Sequence, residues 1–244
     1  MQLVIDVGNT RLKLALFENN ELIKYHVCKN ADELLTQKWL DQFTISNCIL
    51  VTVVDKLDDF IKLLETRFPV LVYNNLVDTT LVNKYATPET LGGDRLVAAV
   101  AANHLFPNNN VLVVDVGTCI KYNFVDSEKT FLGGAISPGL RMRLKAINSF
   151  TARLPLLEVD DNYNDMVANT TNNNILAGAT LGAVAEVNGF IELYEQRYDM
   201  LKVVLTGGDL NFFENRLKKS IFADAFLTLK GLNVILNHNL ALRS

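Results

Sequence analysis

The feature that most constrains this chain is a passage that occurs twice. Leu3-Val4-Ile5-Asp6-Val7-Gly8 lies over Leu112-Val113-Val114-Asp115-Val116-Gly117 at an offset of 109 positions. In each copy an apolar run leads into Asp-Val-Gly, and an alternating strand follows: Leu12, Leu14 and Leu16 in the first, Ile120, Tyr122 and Phe124 in the second. Chance supplies a tripeptide twice but not its whole setting, so the two halves read as copies. A chain of 244 residues makes one large domain or two of about 120. The repeat selects two lobes, expected at 1–110 and 111–244, with a cleft between them.

Strand-like and helix-like runs alternate, which places the chain in the α/β class. Leu57, Phe60, Ile61, Leu64 and Phe68 fall at helical spacing, and Arg95 to Leu105 reads as a buried helix stopped by Pro107 and Asn108–Asn110. With 49% hydrophobic and 20% charged residues, disorder is excluded. A net charge of −4 and no block of Lys or Arg give no reason to expect nucleic acid or a membrane as a partner. Cys28, Cys48 and Cys119 are odd in number and far apart, so free thiols in a reducing compartment are expected. The N-terminus meets Asp6 too early for a signal-peptide core. Ile175 to Ile191 is sparsely charged but contains Glu186 and Asn188, and reads as a buried helix. The expected location is cytoplasmic.

An apolar strand ending in Asp-x-Gly and then amide or hydroxyl residues has a definite chemistry. Gly8 lets the backbone turn tightly and present N–H groups, Asn9 and Thr10 add side-chain donors, and Asp6 beside a phosphate suits a hydrated Mg²⁺. One such turn alone is better read as a hairpin; its duplication favours two turns sharing one nucleotide. Gly92-Gly93-Asp94-Arg95 precedes the Ala/Val-rich helix and admits two readings. In one, Asp94 caps the helix and Arg95 faces solvent. In the other, Asp94 is a general base and Arg95 a carboxylate clamp. Gly133-Gly134-Ala135-Ile136-Ser137-Pro138-Gly139 and Thr206-Gly207-Gly208-Asp209 are further glycine turns where a ribose or base could approach the backbone. Gly178, Gly182 and Gly189 mark close helix packing, within the chain or across a dimer. His26, His104 and His238 sit in no ligand pattern, Cys119 has no His partner in sequence, the Asn172–Asn174 run reads as a helix-start loop, and Trp39 shares a helical stripe with Leu35 and Phe43.

This motif set resembles the type III pantothenate kinases of the acetate and sugar kinase, Hsp70 and actin superfamily, over nearly the whole chain. Asp6 to Thr10 is similar to the family's first phosphate motif, Gly92 to Arg95 to its Gly-x-Asp-Arg substrate motif, and Asp115 to Thr118 to its second phosphate motif. Gly133 to Gly139 and Thr206 to Gly208 resemble its later glycine segments. The resemblance implies two similar actin-like (ribonuclease H-like) lobes with a nucleotide cleft. It implies a homodimer that phosphorylates pantothenate with ATP, the first step toward coenzyme A, using Mg²⁺ and a monovalent cation such as K⁺ or NH₄⁺. Position by position, it gives the ATP phosphates to Asp6, Val7, Gly8, Asn9, Thr10, Arg11, Leu12 and Lys13, with Asp6 near Mg²⁺ and Thr118 reaching ATP. It gives pantothenate to Tyr85, Gly92, Gly93, Asp94, Arg95 and Thr170, the base to Asp94, and the monovalent cation to Asp115. The second phosphate motif departs from the family's small and hydroxyl residues, continuing Cys119-Ile120-Lys121-Tyr122-Asn123. Two alternatives share the fold: another small-molecule kinase of the superfamily, and a regulatory relative without catalysis.

Overall fold

A computed structural model describes the chain except for residues 9–10, 31–32, 34–37, 53–56, 75 and 244. The chain divides into two compact units. The first comprises Met1–Pro107, Lys129–Phe131 and Phe226–Ser244, and the second Asn108–Glu128 and Leu132–Ala225.

Among the described residues, the first unit holds a sheet of β1 (Gln2–Val7), β2 (Leu12–Glu18), β3 (Glu21–Cys28), β4 (Asn47–Thr52) and β5 (Val70–Val72) in the order β3-β2-β1-β4-β5. The β1–β2 and β2–β3 pairings are antiparallel, and β1–β4 and β4–β5 parallel. Leu3, Val4 and Ile5 are all fully buried, as a central strand covered on both faces requires. On one face lies α1 (Asp58–Glu65), whose Phe60 and Leu64 join Leu3, Ile5, Leu14 and Leu16 in a core that Trp39 and Phe43 flank. The Trp39 reading stands with Phe43; Leu35 lies outside the described residues. Short β6 (Val82–Asn83) pairs in parallel with Thr130 and Phe131.

The sequence pattern makes β2 a half-buried strand, yet Ala15 and Phe17 are as buried as Leu14 and Leu16. Their cover is the C-terminal helix: α7 (Leu227–Ala241) packs on β1, β2 and β4 and on α2 (Gly93–Leu105). The helices meet at Gly231, where a Cβ would come within 2.1 Å of the Val97 carbonyl oxygen. The compact units therefore differ from a division at residue 110, because the end of the chain returns to the first unit.

The second unit contains β7 (Val111–Val116), β8 (Cys119–Val125), β10 (Lys202–Thr206), β11 (Phe222–Ala223) and all but the first two residues of β9 (Thr130–Pro138). Its sheet runs β11-β10-β7-β8-β9-β6, so β9-β8-β7-β10-β11 repeats the first sheet's order strand for strand. Short helices α3 (Leu140–Ser149), α4 (Thr171–Leu176) and α6 (Leu210–Glu214) connect these strands. Through a π turn at Ala177–Leu181, α4 continues into α5 (Gly182–Arg197), which buries Ala183, Val184, Val187 and Ile191. By length and composition Thr171–Arg197 is apolar enough to cross a membrane, and half of its most apolar window is buried within the protein. Its hydropathy thus has a local cause: Phe190 stacks on Tyr122 at 4.1 Å, and the buried valines and isoleucine fill the second core.

Candidate functional site

In the first unit the Asp6 turn closes with a hydrogen bond from the Gly8 N–H to the Arg11 carbonyl at 3.1 Å. Asp6 and Lys13 are cross-strand partners, with Nζ and a carboxylate oxygen 3.8 Å apart. Val7 and Leu12, buried in the core, hold the turn's two ends in register. Asn9 and Thr10, the expected phosphate donors, lie outside the described residues.

The start of α2 rules out the reading in which Asp94 caps the helix and Arg95 faces solvent. The N-cap is Gly92, with no side-chain cap hydrogen bond, so Asp94 is a first-turn residue and not the cap. Its Oδ1 lies 2.8 Å from where a Gly92 Cβ would stand. Arg95 does not face solvent; it is 5% exposed, with its guanidinium 5.6 Å from the centroid of the Tyr85 ring. Tyr85 is placed by its N–H donating to Asn83 Oδ1 at 2.9 Å and by its ring against Phe131. Gly93 backs this group, since a Cβ there would press on the Tyr73 ring at 3.1 Å and on Val51 at 3.2 Å. The structure therefore gathers Tyr85, Gly92, Gly93, Asp94 and Arg95, five of the six expected substrate residues. The sixth, Thr170, belongs to the second unit, is exposed, and caps α4 by accepting from the Asn173 N–H at 3.2 Å. Asn172–Asn174, read as a helix-start loop, lie at the helix start but already within its first turn.

In the second unit three separate motifs converge on one turn. Gly117 N–H donates to the Cys119 carbonyl, and Gly139 N–H to the Thr118 carbonyl, each at 3.1 Å. A Cβ on Gly139 would stand 2.2 Å from the Gly117 oxygen. Gly207 has φ +107°, and a Cβ there would meet the Val116 oxygen at 2.4 Å and Asp115 Oδ1 at 2.6 Å. Asp209 N–H completes the group by donating to the Val116 carbonyl at 2.9 Å, while its carboxylate takes Arg141 at 2.6 Å. Asp115 is paired across the ladder with Lys121, Nζ to Oδ2 2.7 Å.

A polar cluster that sequence reasoning missed stands behind this turn. Glu186 accepts hydrogen bonds from Tyr122 Oη, from Ser137 Oγ and from Arg143, whose Nε also donates to the Pro138 carbonyl at 2.8 Å. Burial pushes the Glu186 carboxyl up, but the hydrogen bonds from Ser137, Arg143 and Tyr122 and the charge of Arg143 outweigh it and hold the group below the ordinary glutamate value. The hint in the sequence is Glu186 as the single acid in the apolar stretch Ile175 to Ile191. His26, Cys28 and Glu33 bring ligand atoms within 4.8 Å of one another. Burial and Glu33 push the Cys28 thiol up to about 11, opposing the thiolate that a metal would need.

Comparisons with known proteins identify the family. Residues 2–193 match the family model of type III pantothenate kinase. A type III pantothenate kinase of Bacteroides fragilis is 42% identical over 240 residues, covering 98% of both chains. One of Flavobacterium johnsoniae is 40% identical over 235 residues, covering 96% of both. Among solved structures, a Campylobacter jejuni protein assigned to the Baf family of transcriptional activators superposes with TM-score 0.62 at 21% identity, over 98% of this chain and 99% of that one. A polyphosphate/ATP-glucomannokinase of Arthrobacter superposes with TM-score 0.51 at 16% identity, over 100% and 99%. At such identities these two show only the shared fold, an actin-like α/β architecture. The curated relatives and the family model decide membership: the chain belongs to the type III pantothenate kinases.

Proposed function

We propose that this chain transfers the γ-phosphoryl group of MgATP to the terminal hydroxyl of pantothenate, giving 4′-phosphopantothenate on the way to coenzyme A. The observation that carries the reading is the cluster at the start of α2. A carboxylate that is not a helix cap stands one residue from a buried arginine laid against a tyrosine ring. Phosphoryl transfer asks a protein to align an attacking oxygen with the γ-phosphate and to balance charge. Asp94 accepts the hydroxyl proton, Arg95 and Tyr85 bind the pantothenate end that carries its carboxylate, and Thr170 adds a hydroxyl contact. The Asp6–Lys13 turn takes the ATP phosphates, and Thr118 of the second turn also reaches ATP. Asp6 fits a hydrated Mg²⁺, which needs few carboxylates, and its pairing with Lys13 at 3.8 Å is loose.

The working form in this reading is a cytoplasmic homodimer. Its support is the small-residue stripe: at Gly178, Gly182 and Gly189 an added Cβ meets nothing within 4 Å among the described residues. The packing expected of these glycines is not met within the described residues, which supports a second copy as their partner. Folded protein incubated with MgATP and pantothenate should form 4′-phosphopantothenate. Absence of turnover in every salt tested would sink the reading, and turnover of a different alcohol or acid in a substrate panel would transfer the chain to another kinase activity. Nucleotide binding without any transfer would make it a regulatory relative.

A further inference from the structure

The resemblance gives Asp115 to a monovalent cation, and the residues around that carboxylate do not fit one. Lys121 stands opposite Asp115 in the β7–β8 ladder, with Nζ 2.7 Å from Oδ2, and only 20% and 19% of the two side chains are exposed. The other oxygen, Oδ1, is walled by Gly207, where even a methyl group would approach to 2.6 Å. A bare cation drawn to this carboxylate would stand beside an ammonium in a partly desolvated site, and like charges repel there more than in water. We infer that Lys121 supplies within the chain the positive charge that the resemblance assigns to K⁺ or NH₄⁺, so that catalysis proceeds without a monovalent cation. The inference rests on the kinase reading above.

The repeat provides an internal control. Asp6 and Lys13 are the same cross-strand pair in the first half, reached seven positions on instead of six. The first turn closes from Gly8 to Arg11 and the second from Gly117 to Cys119, one residue shorter, so each lysine arrives opposite its aspartate. The first pair stands at 3.8 Å with Lys13 37% exposed, whereas the second is closed to hydrogen-bond length. The two carboxylates are similarly shielded, 12% exposed at Asp6 and 19% at Asp115, so the halves differ in their lysines: Lys13 stands farther off and is more exposed, while Lys121 closes on its aspartate.

The test compares initial rates with MgATP and pantothenate in choline chloride, KCl and NH₄Cl at equal ionic strength, after exchanging all K⁺ and NH₄⁺. Wild-type rates should agree within about twofold, and a K⁺ or NH₄⁺ requirement above about tenfold overturns the inference. Lys121→Met should lose about tenfold or more in choline chloride and regain activity with K⁺ or NH₄⁺, whereas Lys121→Arg, which keeps the charge, should stay salt-indifferent. Lys121→Met behaving as wild type in choline chloride also overturns it. Melting temperatures with MgADP give a readout independent of turnover. Wild type should melt alike in KCl and choline chloride, and a K⁺-specific rise of about 5 °C refutes the inference. Failure of turnover in all salts counts against the kinase reading alone, and the melting comparison then still decides the cation question.

Discussion

Gly92→Ala separates the placement of Asp94 from the stability of the helix it begins. Gly92 has φ −59° and ψ 124°, which alanine adopts without strain. Alanine stiffens the unfolded chain, a gain of about 0.4–1 kcal/mol, but is a poorer N-cap than glycine by a similar amount, so stability should change by less than about 1 kcal/mol. The new Cβ, however, would lie 2.8 Å from Asp94 Oδ1. Carbon–oxygen contacts settle near 3.3 Å or more, so the carboxylate must retreat by about 0.5 Å. A misplacement of about 1 Å at a reacting group costs on the order of 100-fold, so half of that predicts about tenfold in kcat, or about 1.4 kcal/mol of barrier. Steady-state kinetics with pantothenate varied, beside a thermal melt, provides the measurement. A tenfold loss in kcat at nearly constant Tm is expected. A variant with full kcat refutes the role given to Asp94, and a loss confined to KM shifts that role from chemistry to binding.

Asp94→Asn keeps the shape but not the base, and should lower kcat by about 10²–10⁴-fold while the melting temperature holds within a few degrees. Gly207→Ala forces a φ of +107° on alanine and drives its Cβ against the Val116 backbone, so it should destabilise by about 2–4 kcal/mol in urea, while Gly208→Ala, with open space around it, should be nearly neutral. Glu186→Gln leaves Arg143 without its ion pair and should cost about 1–3 kcal/mol. Because the Glu186 carboxyl is held below its ordinary value near 4.5, its contribution is present above that pH and fades as pH falls through the folded value, so wild type should lose more stability than Glu186→Gln between about pH 5 and 3. Cys48, buried and pushed up to about 12, and Cys28 should resist a disulfide reagent in the native state and react only on unfolding, whereas partly exposed Cys119 should react first. Native labelling of Cys48 would contradict its burial.

Much of this molecule was legible because the decisive signals are local. The repeated Asp-Val-Gly with its flanking strands announces two matching sheets, and the described strands follow the same order in both. The ownership of α7 was harder to see. Leu14-Ala15-Leu16-Phe17 is apolar on both faces, which asks for cover on both, but nothing in that run names a helix more than 200 residues away. Distance along the chain also hid the Glu186 cluster, whose partners Ser137 and Arg143 lie 49 and 43 positions away. Asp94 was ambiguous for a different reason. Which residue caps a helix depends on where the backbone turns, and Gly92-Gly93 leaves that open until the fold places the cap on Gly92. At Lys121 a constant offset of 109 misleads, laying Lys13 over Tyr122, because one residue is missing from the second turn.

The glycines show why the motifs differ in what they prove. Strand-to-glycine turns suggest places where a nucleotide approaches bare backbone, yet Gly139 and Gly207 are required by the chain itself, whose own carbonyl oxygens occupy the space at 2.2 and 2.4 Å. A protein that had lost all catalysis but kept this fold would still need them. Gly208, with nothing within 4 Å, is the position in that motif where backbone stays open to a ligand. Gly139 and Gly207 therefore testify mainly to architecture. Gly92 differs, because its missing Cβ leaves room for the Asp94 carboxylate and not for backbone. In the proposed reading, chemical identity is carried by Gly92, Asp94, Arg95 and Tyr85, so substitutions there, more than any in the glycine turns, should distinguish a pantothenate kinase from a catalytically silent relative of the same fold.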